Sequence, residues 1–169
     1  YAAVPKEMGE VAAQFGKAFL REVDERAFFA SMGELRGQVS DRALLRAIHF
    51  FEENARVPLQ AEALRKGDMD AFIRLMRASG NSSFTQLQNV CPSGAAERSV
   101  ALALALSARQ LAGSGAWRIH GGGFAGTIQA LAPNALADAY CAEMERVFGA
   151  GCCYRLAIRP EGGVEVTKR

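Results

Sequence analysis

The chain has 169 residues, with 20 Lys and Arg against 18 Asp and Glu and a formal net charge of +2. Hydrophobic residues make up 50% and charged residues 22%, which excludes global disorder and leaves enough apolar surface for one domain with its own core. The charges are interspersed rather than gathered into the basic stripe of a nucleic-acid binder, and the longest apolar run, Val100 to Leu106, is far short of the roughly 20 residues a membrane-spanning helix needs.

Up to about residue 112 the pattern is helical. Tyr1-Ala2-Ala3-Val4-Pro5 lacks the basic start and apolar core of a secretory signal, and the absence of an initial Met suggests a fragment or a processed product. Ser40 can cap a helix whose apolar positions, Leu44, Ile48, Phe51 and Ala55, recur at spacings of four and three. Pro58, which has no N–H to donate, is expected to end or kink that helix. Gly67-Asp68 reads as a stop followed by a new N-cap. The next helix shows Phe72, Leu75, Met76 and Ser79 on one face and is expected to end at Gly80-Asn81-Ser82-Ser83. Pro92-Ser93 then opens a small-residue helix running to about Leu111.

From about residue 113 onwards the period changes to two. Trp117 and Ile119 alternate with Arg118 and His120, a glycine-rich loop follows, and Thr127 to Leu131 reads as a second strand. Asn134 caps a helix with Leu136, Tyr140, Met144 and Val147 on its buried side. Tyr154, Leu156 and Ile158 then alternate with Arg155, Ala157 and Arg159 as a further strand, which turns at Pro160-Glu161-Gly162-Gly163 into Val164 and Val166. Helices first and a small strand-rich unit afterwards predict an α+β fold. The cysteines at 91, 141, 152 and 153 form no spaced pair, and with His49 and His120 as the two imidazoles the reading is reduced thiols in a cytoplasmic protein without a structural metal. Cys152 and Cys153, adjacent in a strand, would face opposite ways.

The chemistry concentrates in Gly121-Gly122-Gly123-Phe124-Ala125-Gly126. Without Cβ atoms such a backbone can take positive φ and approach a ligand, and its successive N–H groups can converge on an anion. A plain hairpin loop would use the same residues for turn geometry. A Walker loop would need Gly-Lys-Ser/Thr and a following helix, and a dinucleotide fingerprint would also open a helix; here Thr127 and a strand follow.

The segment from Arg118 to Ile128 resembles the third, C-terminal motif of the GHMP kinases, Gly-Ala-Gly-Phe-Gly-Gly in its usual form. Within that superfamily the resemblance is to the galactokinases. Glu34 to Leu44 is similar to the segment leading into that family's long helix. Arg46-Ala47-Ile48-His49-Phe50-Phe51-Glu52-Glu53-Asn54-Ala55-Arg56-Val57 is similar to its Arg-Ala-x-His-x-x-x-Glu-Asn-x-Arg-Val. Gly67 to Met76 matches the stretch before its Ser-His or Ser-Gly turn, here Ser79-Gly80. The resemblance covers nearly the whole chain and implies a ferredoxin-like C-terminal domain with additional N-terminal helices.

The same resemblance implies transfer of the γ-phosphoryl group of ATP, with Mg²⁺, to the anomeric hydroxyl of galactose or a related hexose. It places Gly121, Gly122, Gly123, Phe124, Ala125 and Gly126 over the nucleotide phosphates and the sugar, and matches Tyr1 to a tyrosine whose hydroxyl contacts the sugar. Val4-Pro5-Lys6 stands where the family often has Arg-Arg, Ala125 replaces a usual glycine and is expected at negative φ, and His120 stands where Thr or Ser is usual. The family's Gly-Arg-x-Asn-x-x-Gly-Glu-His-x-Asp sugar motif and its Pro-x-x-x-Gly-Leu-Ser-Ser-Ser-Ala phosphate loop do not occur, nor does the half that carries its catalytic aspartate and assisting arginine. The expectation is a C-terminal half without catalytic or metal-binding residues, inactive alone, that packs on a missing N-terminal domain and self-associates without it. Rival readings are a kinase for another hexose such as an N-acetylhexosamine, a non-catalytic sugar sensor, and a free-standing ferredoxin-like regulatory module.

Overall fold

A computed structural model describes residues 1–92, 94–124, 126–158 and 160–161. The chain begins with α1 (Ala3–Ala13), a 3₁₀ turn at Leu20–Glu22 and two short helices, α2 (Glu25–Ala30) and α3 (Met32–Leu35). Two longer helices follow, α4 (Asp41–Lys66) and α5 (Met69–Ser82), then a π turn at Ser83–Leu87 and α6 (Ser99–Leu111). β1 (Ala116–Ile119) and β2 (Ile128–Leu131) pair antiparallel, Ala116 opposite Leu131 and Ile119 opposite Ile128, and α7 (Asn134–Phe148) follows. The architecture is α+β, with the helical part leading into the strands.

Local chemistry explains the helix starts. Ser40 Oγ accepts from Ala43 N–H at the start of α4, Asp68 does the same for Ala71 at α5, and Asp24 for Ala27 at α2. Gly67 closes α4 in the left-handed conformation, φ 67°, with Arg65 and Lys66 complementing the helix C-terminus. Pro58 does not end α4. It lies on an exposed stretch, so the carbonyl it deprives of a partner remains accessible to water, and the helix continues to Lys66.

Three further boundaries differ from expectation. α5 runs past Gly80, and the reason Gly80 is glycine is close packing: a Cβ there would lie 2.6 Å from the Trp117 carbonyl oxygen. α6 begins at Ser99 rather than at Pro92. Asn134 is the first residue of α7 rather than its cap, and Leu136 and Val147 remain partly exposed while Tyr140 and Met144 are buried. Residues 152–158 form no strand. Among the described residues they have no hydrogen-bonded neighbouring strand, and Tyr154, Leu156 and Ile158 are 84%, 89% and 98% exposed. Alternation of apolar side chains specifies a strand only when a partner supplies the ladder. Of the expected turn, Pro160 and Glu161 are described and exposed, while Gly162, Gly163 and the strand expected beyond them, like Arg159, lie outside the described residues.

The core has three clusters. Val11, Leu20, Phe28, Leu35, Leu44 and Phe51 join α1–α4, and the Phe28 and Phe51 rings stand 5.0 Å apart. Val90, Val100, Leu104 and Ile119 form a second cluster, and Ala103, Leu111, Tyr140 and Met144 a third; Trp117 and Ile128 pack against both. Trp117 therefore packs, with the Arg77 guanidinium 5.1 Å from its ring centroid. The four cysteines are free. Cys152 and Cys153 do not face apart: their sulfurs lie 3.9 Å from each other, since no strand geometry separates them. Burial and the neighbouring Cys152 and Cys141 push the Cys153 thiol up to about 12, so it is protonated at neutral pH.

Candidate active-site loop

The loop between β1 and β2 is closed at its base by His120 N–H donating to the Thr127 carbonyl at 3.2 Å. Gly121, Gly123 and Gly126 have φ of 66°, 82° and 85°, and Phe124 shares that left-handed conformation at 59°. A bulky side chain at positive φ costs about 1–3 kcal/mol and persists only where the surroundings impose it. Gly122 is exposed and Gly123 buried; Ala125 lies outside the described residues, so its expected negative φ is not part of the structure. His120 is exposed at the mouth of the loop. Among the described residues, no protein acceptor takes the N–H groups of Gly121, Gly122 or Gly123, which leaves them available to an anion.

Tyr1 meets this loop. Its ring lies over Gly122 so closely that a Cβ there would be 2.4 Å from Cε2 and 2.7 Å from the hydroxyl oxygen. Tyr1 stays 77% exposed, so its phenol borders solvent and loop at once. The two features that the sequence placed 120 positions apart thus share one surface. α1 carries Tyr1 there: the Tyr1 carbonyl accepts from Val4 N–H at 3.0 Å, at the start of the helix.

Under the loop lies Asn89, which no sequence pattern singled out. Its backbone carbonyl accepts from Phe124 N–H at 2.9 Å, and its side-chain Nδ2 donates to the Gly122 carbonyl at 3.2 Å. Gly123 sits against it with no room for a side chain, since a Cβ would lie 2.2 Å from the Asn89 carbonyl oxygen.

Two polar clusters hold this arrangement. In the first, Glu7 of α1 accepts from Arg42 Nη2 at 2.5 Å and from Arg46 Nη1 at 2.8 Å, and Arg46 Nε also donates to the Leu87 carbonyl. Hydrogen bonding from Arg42 and the nearby Arg46 charge hold the Glu7 carboxyl below its ordinary range against the opposing effect of burial. The helix that follows Tyr1 is thereby tied to the π turn just before Asn89. In the second, Glu53 accepts from Ser79 at 2.5 Å and Arg56 at 2.8 Å, with Arg118 of β1 at 3.6 Å. Burial acts to raise Glu53, but these hydrogen bonds and the Arg118 charge outweigh it and lower the net value.

His49 is buried, as a hydrogen-bonding helix residue, with Nδ1 2.8 Å from Ser82 Oγ. Because the Ser82 hydroxyl donates to Gln86 Oε1, the consistent assignment has His49 donate from Nδ1 as a neutral ring. Burial pushes its pKa down. Among the described residues, no group of three or more His, Cys, Asp or Glu side chains could hold a metal ion, and no helix is long and apolar enough to cross a membrane.

No family model matches the chain. It is 35% identical over 130 residues to a galactokinase of Haemophilus influenzae, an alignment covering 77% of this chain and 32% of that protein. It is 32% identical over 153 residues to human galactokinase, covering 90% of this chain and 36% of the relative. Its fold matches a crystal structure of Lactococcus lactis galactokinase complexed with galactose at a TM-score of 0.64 and 24% identity, over 86% of this chain and 35% of that one. The chain spans about a third of the length of the curated relatives it matches.

Proposed function

We propose, from the premise that the chain belongs with the galactokinases as their C-terminal domain, that it forms the closing wall of an ATP-dependent kinase for galactose. The observation that carries this reading is the meeting of Tyr1 with Gly122, in a loop whose Gly121, Gly122 and Gly123 N–H groups have no acceptor among the described residues. In the reaction, the anomeric hydroxyl oxygen attacks the γ-phosphorus while the bond to the bridging oxygen of ADP breaks, and the hydroxyl proton passes to a base outside these residues. Such transfers depend mainly on positioning and on stabilising the charge of the phosphoryl oxygens. The N–H groups of Gly121 to Gly123 face that charge, and the Tyr1 hydroxyl hydrogen-bonds the sugar. No group of three or more His, Cys, Asp or Glu side chains that could hold a metal ion stands among the described residues, and in this reading the Mg²⁺ that accompanies ATP is held by groups outside them.

The N-terminal ATP-binding domain is the partner this reading requires, and the surface around Tyr1 and the loop is where it packs; without it, that surface favours self-association. The test is ATP turnover by the complete protein across several hexoses, beside the same assay on these 169 residues. Galactose-dependent ADP formation by the complete protein, and none by the 169 residues, is the expected result. Preference for an N-acetylhexosamine would replace the substrate, and sugar binding without turnover by the complete protein would replace the kinase with a sensor.

A further inference from the structure

We propose that Asn89 is the residue that positions the glycine loop for phosphoryl transfer, an inference that rests on the sugar-kinase reading for its chemistry but not for its geometry. Among the described residues, only Gln88 and Phe124 are non-glycine residues at positive φ, 57° and 59°. Both border Asn89. Gln88 precedes it and ends the π turn, its N–H donating to the Ser83 carbonyl at 2.9 Å. Phe124 is bound to it directly, through the Asn89 carbonyl. Backbone strain that the surroundings over-determine marks positions where a particular geometry is being enforced, and here both instances converge on one residue.

Asn89 grips the loop at two successive points. The carbonyl fixes Phe124 and the side-chain amide fixes Gly122, so the peptide planes on either side of Gly123 are set from below. Gly123 has no side chain to push Asn89 away, and Asn89 is 1% exposed. Among the described residues, no donor reaches its buried Oδ1. Rotating the amide would place Oδ1 against the Gly122 carbonyl oxygen, two acceptors facing each other, so the orientation that donates to Gly122 is the consistent one. A buried orphan acceptor carries a cost that an apolar residue at this position would avoid. What the amide contributes in return is the donor to Gly122, which no apolar side chain supplies. With the Gly122 carbonyl turned down onto Asn89, the trans peptide turns the Gly123 N–H away from Asn89, while the Phe124 N–H points at the Asn89 carbonyl. Asn89 touches no substrate in this arrangement; it acts through the loop.

Asn89→Leu keeps the approximate volume and removes the donor; Asn89→Ala removes both. In the complete protein, each is expected to lower kcat several-fold, the loss equivalent to one or two hydrogen bonds, while the sugar KM stays near wild type. Hydrogen exchange should quicken in peptides covering residues 120–128 and stay unchanged in those of α4. Unchanged kcat and unchanged loop exchange in Asn89→Leu would overturn the proposal. So would faster exchange throughout the chain, which would make Asn89 a residue of general stability. If the wild-type protein turned over no ATP with any sugar, the kinase reading would fall, and the exchange comparison would still decide whether Asn89 holds the loop.

Discussion

Replacing Glu7 by Ala probes the tie between the helix that follows Tyr1 and the π turn just before Asn89. Glu7 and Arg46 have side chains 9% and 5% exposed, whereas Arg42 is 45% exposed. Removing the carboxylate leaves the Arg46 guanidinium buried with the Leu87 carbonyl as its remaining hydrogen-bond partner among the described residues. Stranding one member of a buried ion pair costs about 3–5 kcal/mol. Removing Arg42 instead deletes a half-exposed cation and leaves Glu7 paired with Arg46, a loss of about 0–1 kcal/mol after solvent screening. For a chain of this size the first change should lower Tm by about 6–20 °C and the second by a few degrees at most. Urea denaturation with an unchanged m-value is the assay. The double replacement Glu7→Leu with Arg46→Met should lose less than Glu7→Ala alone, because no charge is left unpaired. The pH dependence has a definite sign. A carboxyl held below its ordinary value of 4.5 stabilises the fold above that pH, and the contribution disappears as pH falls through the folded-state value. Glu7→Ala should therefore flatten the acid limb of the stability curve. Equal midpoint shifts for Glu7→Ala and Arg42→Ala would refute the argument, since they would mean that Arg46 is solvated.

The two central glycines should respond differently. Gly122→Ala meets only the exposed Tyr1 ring, which can swing away, whereas Gly123→Ala combines φ 82° with a backbone clash against Asn89 and should cost about 1–3 kcal/mol; equal thermal stability of the two variants would contradict this. His49, its pKa lowered by burial from 6.5, contributes stability above that pH that is lost as pH falls through the folded-state value, so the urea midpoint should drop between pH 7.5 and 5.5 and His49→Asn should remove the drop. Tyr1→Phe in the complete protein should raise the sugar KM several-fold, the equivalent of about 0.5–1.5 kcal/mol, and leave the ATP KM unchanged, as steady-state kinetics will show.

Local signals in the sequence determined much of the secondary structure. Ser40 and Asp68 cap α4 and α5, Gly67 separates them, and the change from helical to two-residue periodicity after residue 112 marks the strands. Each depends on a side chain bonding its own backbone or on alternation within a few residues, so neighbours suffice. Motif order likewise pointed to the galactokinases, and the glycine run to a loop of special backbone geometry. Tertiary contacts decided the rest. Pro58 leaves α4 unbroken because its stretch faces solvent, and Gly80 lies inside α5 because β1 packs on it. Tyr154 to Ile158 have strand alternation but no partner among the described residues, so pattern alone produced no strand. Asn89 carries no periodic or compositional mark; its two grips on the loop reach residues 33 and 35 positions away. Glu7 and Arg46, 39 positions apart, look like surface charges until folding removes the water around them. A sequence displays the interactions that a residue makes with its neighbours in the chain, and only the folded structure brings a buried donor to the carbonyl it must satisfy.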